Sequence, residues 1–525
     1  MDKRRSPRRE VTLALTVCTI ALFIVLHGGI ILQATGAESE KPQYGGTLKV
    51  ISSSMTVNLG YPAAGYVPTD YFCADPAIET LFRLDAQGGA VPWLATGFKV
   101  SSDFKSVTIT LTKGIKFHDG TDFNAEAVKY LFDIYRTSAM SELKSVTSVD
   151  VVDSHTVRLN LSEFQVQLMP NLAFRAGQIV SPTAIKTQGK DWCMTHPVGT
   201  GPFKFVSYQR DSSIKYQKFP GYWQKGKPYL DNVEFELIAD KTTAVMAFKS
   251  GRGHVVGPGL LAQHISELKE TGKYTTSLIP LAVYSLAGDS SHQTSPFADI
   301  RVRRALEHAI DKAAIAKAVG YGIYKPATQV TAMETWSYNP SVKGYEYSPQ
   351  KAKELLAQAG YPNGFKTRIM YVTTDPQDVF IAVQGYLAQV GIEAKLEPMT
   401  PPLFVQNHTG GWESALIYHN TSSGAHIDPG YILENRLSSK GSQFVSIAHP
   451  ADYEAQLFSA ANERNVNKRK ALYQEVMKSI SDHALVTPIF VMYAGKVAYP
   501  ETRNLGMYEI SMHLWTPEDA WLANK

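Results

Sequence analysis

From residue 42 onward, apolar residues alternate with polar ones in short runs, and between those runs they recur every three or four positions. The first spacing sends successive side chains to opposite faces of a strand; the second lines one face of a helix. GGTLKVISSS (45–54) predicts a strand. AIETLFRLD (77–85), after Asp75-Pro76, predicts a helix start. VTITLTKGIKFHDG (107–120) predicts a hairpin, with Val107, Ile109 and Leu111 on one arm, a turn at Gly114, and Ile115 and Phe117 on the other. Asn124 then caps a helix over AEAVKYLFDIYR, and VDVVDSHTVRLNL (149–161) predicts a second hairpin.

A second block opens at HPVGTGPFKFVSYQ (196–209) and continues through SIKYQKF and NVEFELI, all alternating. Lys241 to Lys249 follows as a helix and HVV (254–256) as a short strand, which makes a crossover unit of a mixed sheet. In the third block FADIRVRRALEHAIDKAAIAKAVG (297–320) predicts one long helix. Asp299 caps it, Val302, Ala305, Leu306, Ala309, Ile310 and Ala313 form its apolar stripe, and Gly320 ends it. Ser348-Pro349 starts another helix that stops at Gly360. FKTRIMYV, VFIAVQGYLAQVG and IEAKLEPM then read strand, helix, strand, one doubly wound half. Residues 464–482 predict a helix, and ALVTPIFVMYAGKVAY (484–499) returns to strand. The class is α/β, and 525 residues exceed what one core holds.

The N-terminus has a different pattern. MDKRRSPRRE is followed by VTLALTVCTIALFIVL, which carries no charge, and then by small residues. A basic start, an apolar run and a small-residue stretch predict that residues 1–37 are a signal peptide or, uncleaved, a membrane anchor. Either places the remainder outside the cytoplasm: in the periplasm, or on the outer face of the cell membrane. Those first ten residues hold five of the 52 basic side chains and two of the 48 acids, so the exported part is close to neutral despite the formal +4. Nothing in that balance calls for nucleic acid as a partner. Of the three cysteines, Cys73 and Cys193 lie in the exported part, where they either pair or stay as separate buried thiols.

Motifs that would mark an enzyme fail on physical grounds. GYWQKGKP (221–228) imitates a phosphate loop, but Pro228 supplies neither a hydroxyl for magnesium nor a backbone N–H. His118-Asp119 are neighbours in a turn, and the chain has no G-x-S-x-G, H-E-x-x-H or C-x-x-C. No catalytic residue, cofactor or resident metal is expected. The loop YHNTSSGAHIDPG (418–430) gathers His419, His426 and Asp428, a wall for a binding pocket or an ordinary turn.

Six stretches, in order, resemble one family. They are YGGTLKV (44–50), ETLFRLD (79–85), LTKGIKFHDGTDFNAEAVKYLFD (111–133), the run 196–238 from HPVGTGPFKF to NVEFELI, PFADIRVRRALEHAIDKAAIAKAVGYG (296–322) and YSPQKAKELLAQAGYPNGF (347–365). Together they are similar to the family 5 extracytoplasmic solute-binding proteins of ABC importers, which carry peptides, nickel chelates and related solutes. The resemblance implies a periplasmic-binding-protein-like α/β fold of two hinged lobes plus an inserted domain. Domain I would comprise about 44–75, 198–285 and 488–525, domain II the insertion 76–197, and domain III 286–487. It also implies a non-enzymatic monomer that closes on a small solute and docks on an ABC permease.

Applied residue by residue, the resemblance puts Trp412, Tyr418, His419, Asn420, Ala425, His426 and Asp428 on the domain III side of the cleft, and Tyr66 and Tyr71 on the domain I side. Family members that hold a peptide amino terminus place an Asp three residues before an acid–Pro pair; here the pair is Asp428-Pro429 and that position is Ala425. Dipeptide binders carry an arginine early in the helix matching 377–390, and nickel-chelate binders a His after the acid–Pro pair; this chain has no such arginine, and Gly430 at the second place. Three readings follow: a peptide-like solute held through its backbone or side chains, one with blocked or absent termini included, a metal chelate contacted by His419 or His426, or a sensor or chaperone that keeps the fold but feeds no permease.

Overall fold

The computed structural model describes residues 40–524 apart from 55, 65–67, 86–87, 139, 258, 424–428 and 510–514. Tyr66, Ala425, His426 and Asp428, and the N-terminal segment 1–37, therefore lie outside the described residues.

Pro42–Lys525 form one unit, and an eleven-stranded mixed sheet is its backbone. One half runs Phe203–Gln209, Ser213–Lys218, Asn232–Leu237, Thr47–Ser52 and Val255–Val256; the other runs Leu416–Ser423, Phe365–Val372 and Ile392–Met399. Between them lie two long antiparallel strands, Thr275–Gly288 and Thr487–Ala498. At one end of this pair Ala498 faces both Thr275 and Val255; at the other, Gly288 faces Leu416. Their register slips between Pro280 and Ala282, where a proline with no N–H to donate sits in the ladder. As predicted, helix Lys241–Lys249 carries the chain from Asn232–Leu237 to Val255–Val256, and both strands lie parallel to Thr47–Ser52.

A separate four-stranded antiparallel sheet comprises Ala95–Val100, Ser106–Leu111, Thr156–Leu161 and Val146–Asp153. Helix Ala125–Thr137 lies on it, with Asn124 accepting the Ala127 N–H and Ala127, Val128, Leu131, Phe132 and Tyr135 buried.

The backbone at 76–77 comes back against 199–203. Gly201 N–H donates to Ala77 O at 3.0 Å and Phe203 N–H to Pro76 O at 2.9 Å, while His118 N–H donates to Gly199 O at 2.9 Å. This crossing explains the glycines of HPVGTGPF. A Cβ on Gly199 would stand 2.1 Å from Ala77 O, and one on Gly201 would stand 2.7 Å from Pro76 O.

Three expectations need correction. AIETLFRLD is not helical. It forms the short strands Glu79–Thr80 and Phe82–Leu84, paired with Gln178–Ile179 and Ala90–Pro92. The reason is tertiary: the Glu79 carboxylate is buried and accepts from Trp93 Nε1, Trp223 Nε1, Thr200 Oγ1 and Tyr222 OH. Burial lifts its carboxyl to about 7, although Arg83 nearby opposes the rise. The predicted 107–120 hairpin keeps only its first arm. Ser106–Leu111 pairs with Ala95–Val100 and Thr156–Leu161, and Ile115 and Phe117 instead go into the core. The long helix is two, Ile300–Ala309 and Lys312–Gly320, because Asp311 accepts the Ala314 N–H and caps a fresh start. The new helix buries Ile315 and Ala316, so Ala313 falls on the exposed side.

Of the two readings of Cys73 and Cys193, separate thiols hold: both are free and buried.

Candidate functional site

Three parallel strands set the geometry. Phe365–Val372 lies between Ile392–Met399 and Leu416–Ser423. Helix Gln377–Gln389 leads from the middle strand to Ile392–Met399 and packs Val379, Phe380, Val383 and Leu387 against one face. Helix Pro401–Gly410 leads back across to Leu416–Ser423 and packs Phe404 against the other face. Where one connection runs over one face and the next over the opposite face, the loops at the carboxyl ends of the strands part and leave a crevice. Here those carboxyl ends lie beside the strand pair that joins the halves of the sheet, because Asn420 pairs with Tyr284 of Thr275–Gly288.

Strand alternation sorts the predicted residues onto two faces. Tyr418 is 1% exposed and stacks on Tyr284 at 5.1 Å, with Phe380 edge-on at 4.7 Å. The stack continues from Tyr284 to Phe490 at 5.6 Å and from Phe490 to Tyr324 at 5.4 Å. None of the hydroxyls of Tyr284, Tyr324 and Tyr418 has a hydrogen bond among the described residues. Burial pushes the Tyr284 and Tyr324 phenols up to about 12. Asn420 is half-buried; its backbone oxygen accepts from Arg436 Nη1 at 2.9 Å, but its side-chain oxygen is buried with no partner among the described residues.

On the opposite face His419 is half-buried against His408, ring centroids 4.8 Å apart, with Phe404 at 5.3 Å. His408 is buried, and its Nε2 has no partner among the described residues. Burial pushes His419 down to about 3 and His408 to about 4, and Arg436 adds to both shifts. Both rings are therefore neutral at pH 7, with lone pairs available.

Trp412 is 3% exposed; its indole N–H donates to Ala415 O and its backbone N–H to Ser446 Oγ, so it anchors the turn before the strand. Tyr71 lies in a different place from the Tyr418 group. It lines a small cavity of about 20 Å³ with Asp75, Glu79, Arg83, Gln178 and Trp515. Tyr418 and Asn420 thus share one face of the strand, His419 lies on the other with His408, and Tyr71 is not among their neighbours.

Sequence reasoning passed over Tyr284, His408, Arg436 and Asp375. Asp375 occupies the loop after the middle strand, just before helix Gln377–Gln389. The available signal was topological: a polar residue between a strand and a helix in a doubly wound half stands at a carboxyl end.

Comparison with known proteins agrees with this geometry. Residues 89–444, more than half of the chain, match the family described as "Bacterial extracellular solute-binding proteins, family 5 Middle". The chain is 34% identical over 328 residues to the glutathione-binding protein GsiB of Shigella flexneri. That match spans 61% of this chain and 63% of the relative, less than two thirds of its length. The periplasmic binding protein DppA from Helicobacter pylori, solved with peptide STSA, superposes with a TM-score of 0.73 at 23% identity, covering 92% of this chain and 99% of that one. NikA from Brucella suis, solved with Fe(III)-EDTA, gives 0.75 at 25% identity, covering 90% and 100%. The fold is the mixed α/β fold of periplasmic binding proteins, and the chain belongs to the bacterial extracellular solute-binding proteins of family 5.

Proposed function

We propose that this protein is the extracytoplasmic capture component of an ABC import system. It binds a peptide or peptide-like solute between two lobes and delivers it to a membrane permease, with no chemical step of its own. The observation that carries this reading is the buried Asn420 side-chain oxygen, unpartnered among the described residues, beside the stacked Tyr284 and Tyr418 rings next to the bridging strands. Buried polar groups without partners are rare, and an aromatic pocket with a few convergent polar groups suits a small ligand. The domain division read from the sequence fits this proposal: 44–75, 198–285 and 488–525 as one lobe, 76–197 inserted, and 286–487 as the other. Thr275–Gly288 and Thr487–Ala498 would then be the hinge, flexing near the register slip at Pro280. Among the described residues no helix is long and apolar enough to cross a membrane. We place the protein in the periplasm, or on the outer face of the membrane if residues 1–37 remain as an anchor.

The test is native mass spectrometry of freshly purified protein, followed by calorimetry with the solute it releases. Asn420→Ala is expected to weaken binding at least tenfold without lowering the melting temperature. Unchanged affinity would remove Asn420 from the site. A metal chelate is the second reading, favoured by the unpaired His408 Nε2 beside His419. A melting temperature that ignores nickel and iron chelates would exclude it.

A further inference from the structure

The two proposed lobes are joined by more than the two long strands. Lys325 and Pro326 pair with Val491 and Phe490 of Thr487–Ala498, and Ala327 N–H donates to Ile489 O at 3.1 Å. From 327 to 339 the chain then runs without helix or strand, yet most of it is buried. Its apolar side chains go to different cores. Ala327 and Ala332 belong to the cluster of Ile51, Val256 and Val497, whereas Val330 belongs to that of Met370, Phe404 and Tyr473. The first three partners come from the pieces 44–75, 198–285 and 488–525, and the second three from 286–487. The far end is pinned to the second lobe: Asn339 Nδ2 donates to Gln474 O at 2.6 Å, and Gln474 Nε2 donates to Tyr338 O at 2.9 Å. Segment 327–339 is thus a strap with a foot in each lobe.

One group of contacts ties the strap to the bridging strands where their ladder slips. Glu334 Oε1 accepts from Tyr493 OH at 2.8 Å and from Lys325 Nζ at 2.6 Å, and Lys325 Nζ lies 5.0 Å from the centre of the Tyr493 ring. Tyr493 stands opposite Pro280, at the edge of the register slip. The Lys325–Glu334 pair by itself contributes little, since both side chains reach water. The Tyr493 bond is of another kind: the residue is buried, and its O–H donates to a charged oxygen. Bending the strands near Pro280 swings the Tyr493 ring against a strap that is pinned at both ends. The motion must break this bond.

We infer that Glu334 and Tyr493 form a latch on the hinge, which holds the lobes in the arrangement of this structure. This rests on the two-lobe reading and deepens it. Both are positioning residues, acting on solute capture without touching the solute. A solute that needs another arrangement binds only the unlatched molecules, so its apparent affinity falls with their fraction.

The test measures the distance between the lobes in the full chain, stripped of solute. Nitroxide labels are placed on Lys269→Cys and Lys366→Cys, exposed positions in the two lobes. Cys18→Ser removes one native thiol, and Cys73 and Cys193 are buried. Pulsed electron–electron double resonance gives the distance distribution, and wild type is expected to show one dominant distance. Tyr493→Phe, which removes only the hydroxyl, is expected to raise the ratio of other distances to that one about tenfold, the weight of one hydrogen bond to a charged group. Glu334→Gln, which keeps an acceptor but loses the charge, should act in the same direction by a smaller factor. Asp482→Asn, which breaks the exposed Lys478–Asp482 pair within one lobe, should leave the distribution as in wild type. Pro280→Gly loosens the proposed hinge itself and should broaden it. A merely structural bond would lower the melting temperature of Tyr493→Phe and leave its distances unchanged. That result, with Pro280→Gly broadened, would overturn the latch and leave the hinge standing, as would a wild type already spread over several distances. Unchanged distances in Tyr493→Phe and Pro280→Gly alike would overturn both.

Discussion

Substituting Gly199 tests the crossing where the backbone at 76–77 meets 199–203. A methyl group there would lie 2.1 Å from the backbone oxygen of Ala77, against an ordinary contact of 3.4 Å or more. No flexible side-chain end can yield, so one backbone must move by roughly 1 Å, and forced overpacking of this sort costs about 1–3 kcal/mol. The movement pulls on the hydrogen bonds Gly201 N–Ala77 O and His118 N–Gly199 O, each worth about 0.5–1.5 kcal/mol net. Alanine recovers about 0.4–1 kcal/mol through the unfolded chain. The expected loss for Gly199→Ala is therefore about 2–4 kcal/mol. The assay is urea unfolding followed by tryptophan fluorescence, because Trp93 and Trp223 meet close by at Glu79. Gly385→Ala is the control. It lies within helix Gln377–Gln389 with nothing within 4 Å of the added methyl, so a gain of about 0.5–1 kcal/mol is expected. A Gly199→Ala protein within about 0.5 kcal/mol of wild type would refute the close approach, and with it this account of the GTG sequence.

Other consequences can be measured directly. Glu518→Ala removes the bidentate partner of Arg83 (2.6 and 3.2 Å) and should destabilise by about 3–5 kcal/mol, read from the same urea curves; Glu518→Gln should lose less. His118 and His408 are held down to about 4 and His419 to about 3, all chiefly by burial. In the unfolded chain they take a proton near 6.5, so their contribution to stability is complete above that pH and is lost as pH falls from 6.5 towards 4. Melting temperatures should decline across that window, and the imidazole NMR signals of these three residues in the folded protein should not titrate above about pH 5; a normal His408 titration would contradict its burial. Cys73 and Cys193 are buried and unpaired, so a thiol reagent should find neither in the folded protein and both after unfolding without reductant.

The sequence by itself determined the local elements and the family. Periodicity placed the strands Thr47–Ser52, Phe365–Val372 and Ile392–Met399, and the caps at Asn124, Asp299 and Ser348, because strand alternation and capping are decided within a few residues. It failed where a distant group decided the outcome. AIETLFRLD has a helical spacing, but the four donors around Glu79 and the strands at 90–92 and 178–179 hold it extended. The Asp311 cap broke a helix whose apolar stripe read as continuous. The site shows the same division. Tyr418, His419 and Asn420 were legible as one stretch of chain, whereas Tyr284 and His408 join them only through strand pairing and the two crossovers. A sequence gives the chemistry of each residue. Which carboxylate meets which donor, as Glu334 meets Tyr493, depends on what the folded chain packs around it, and that is decided only in three dimensions.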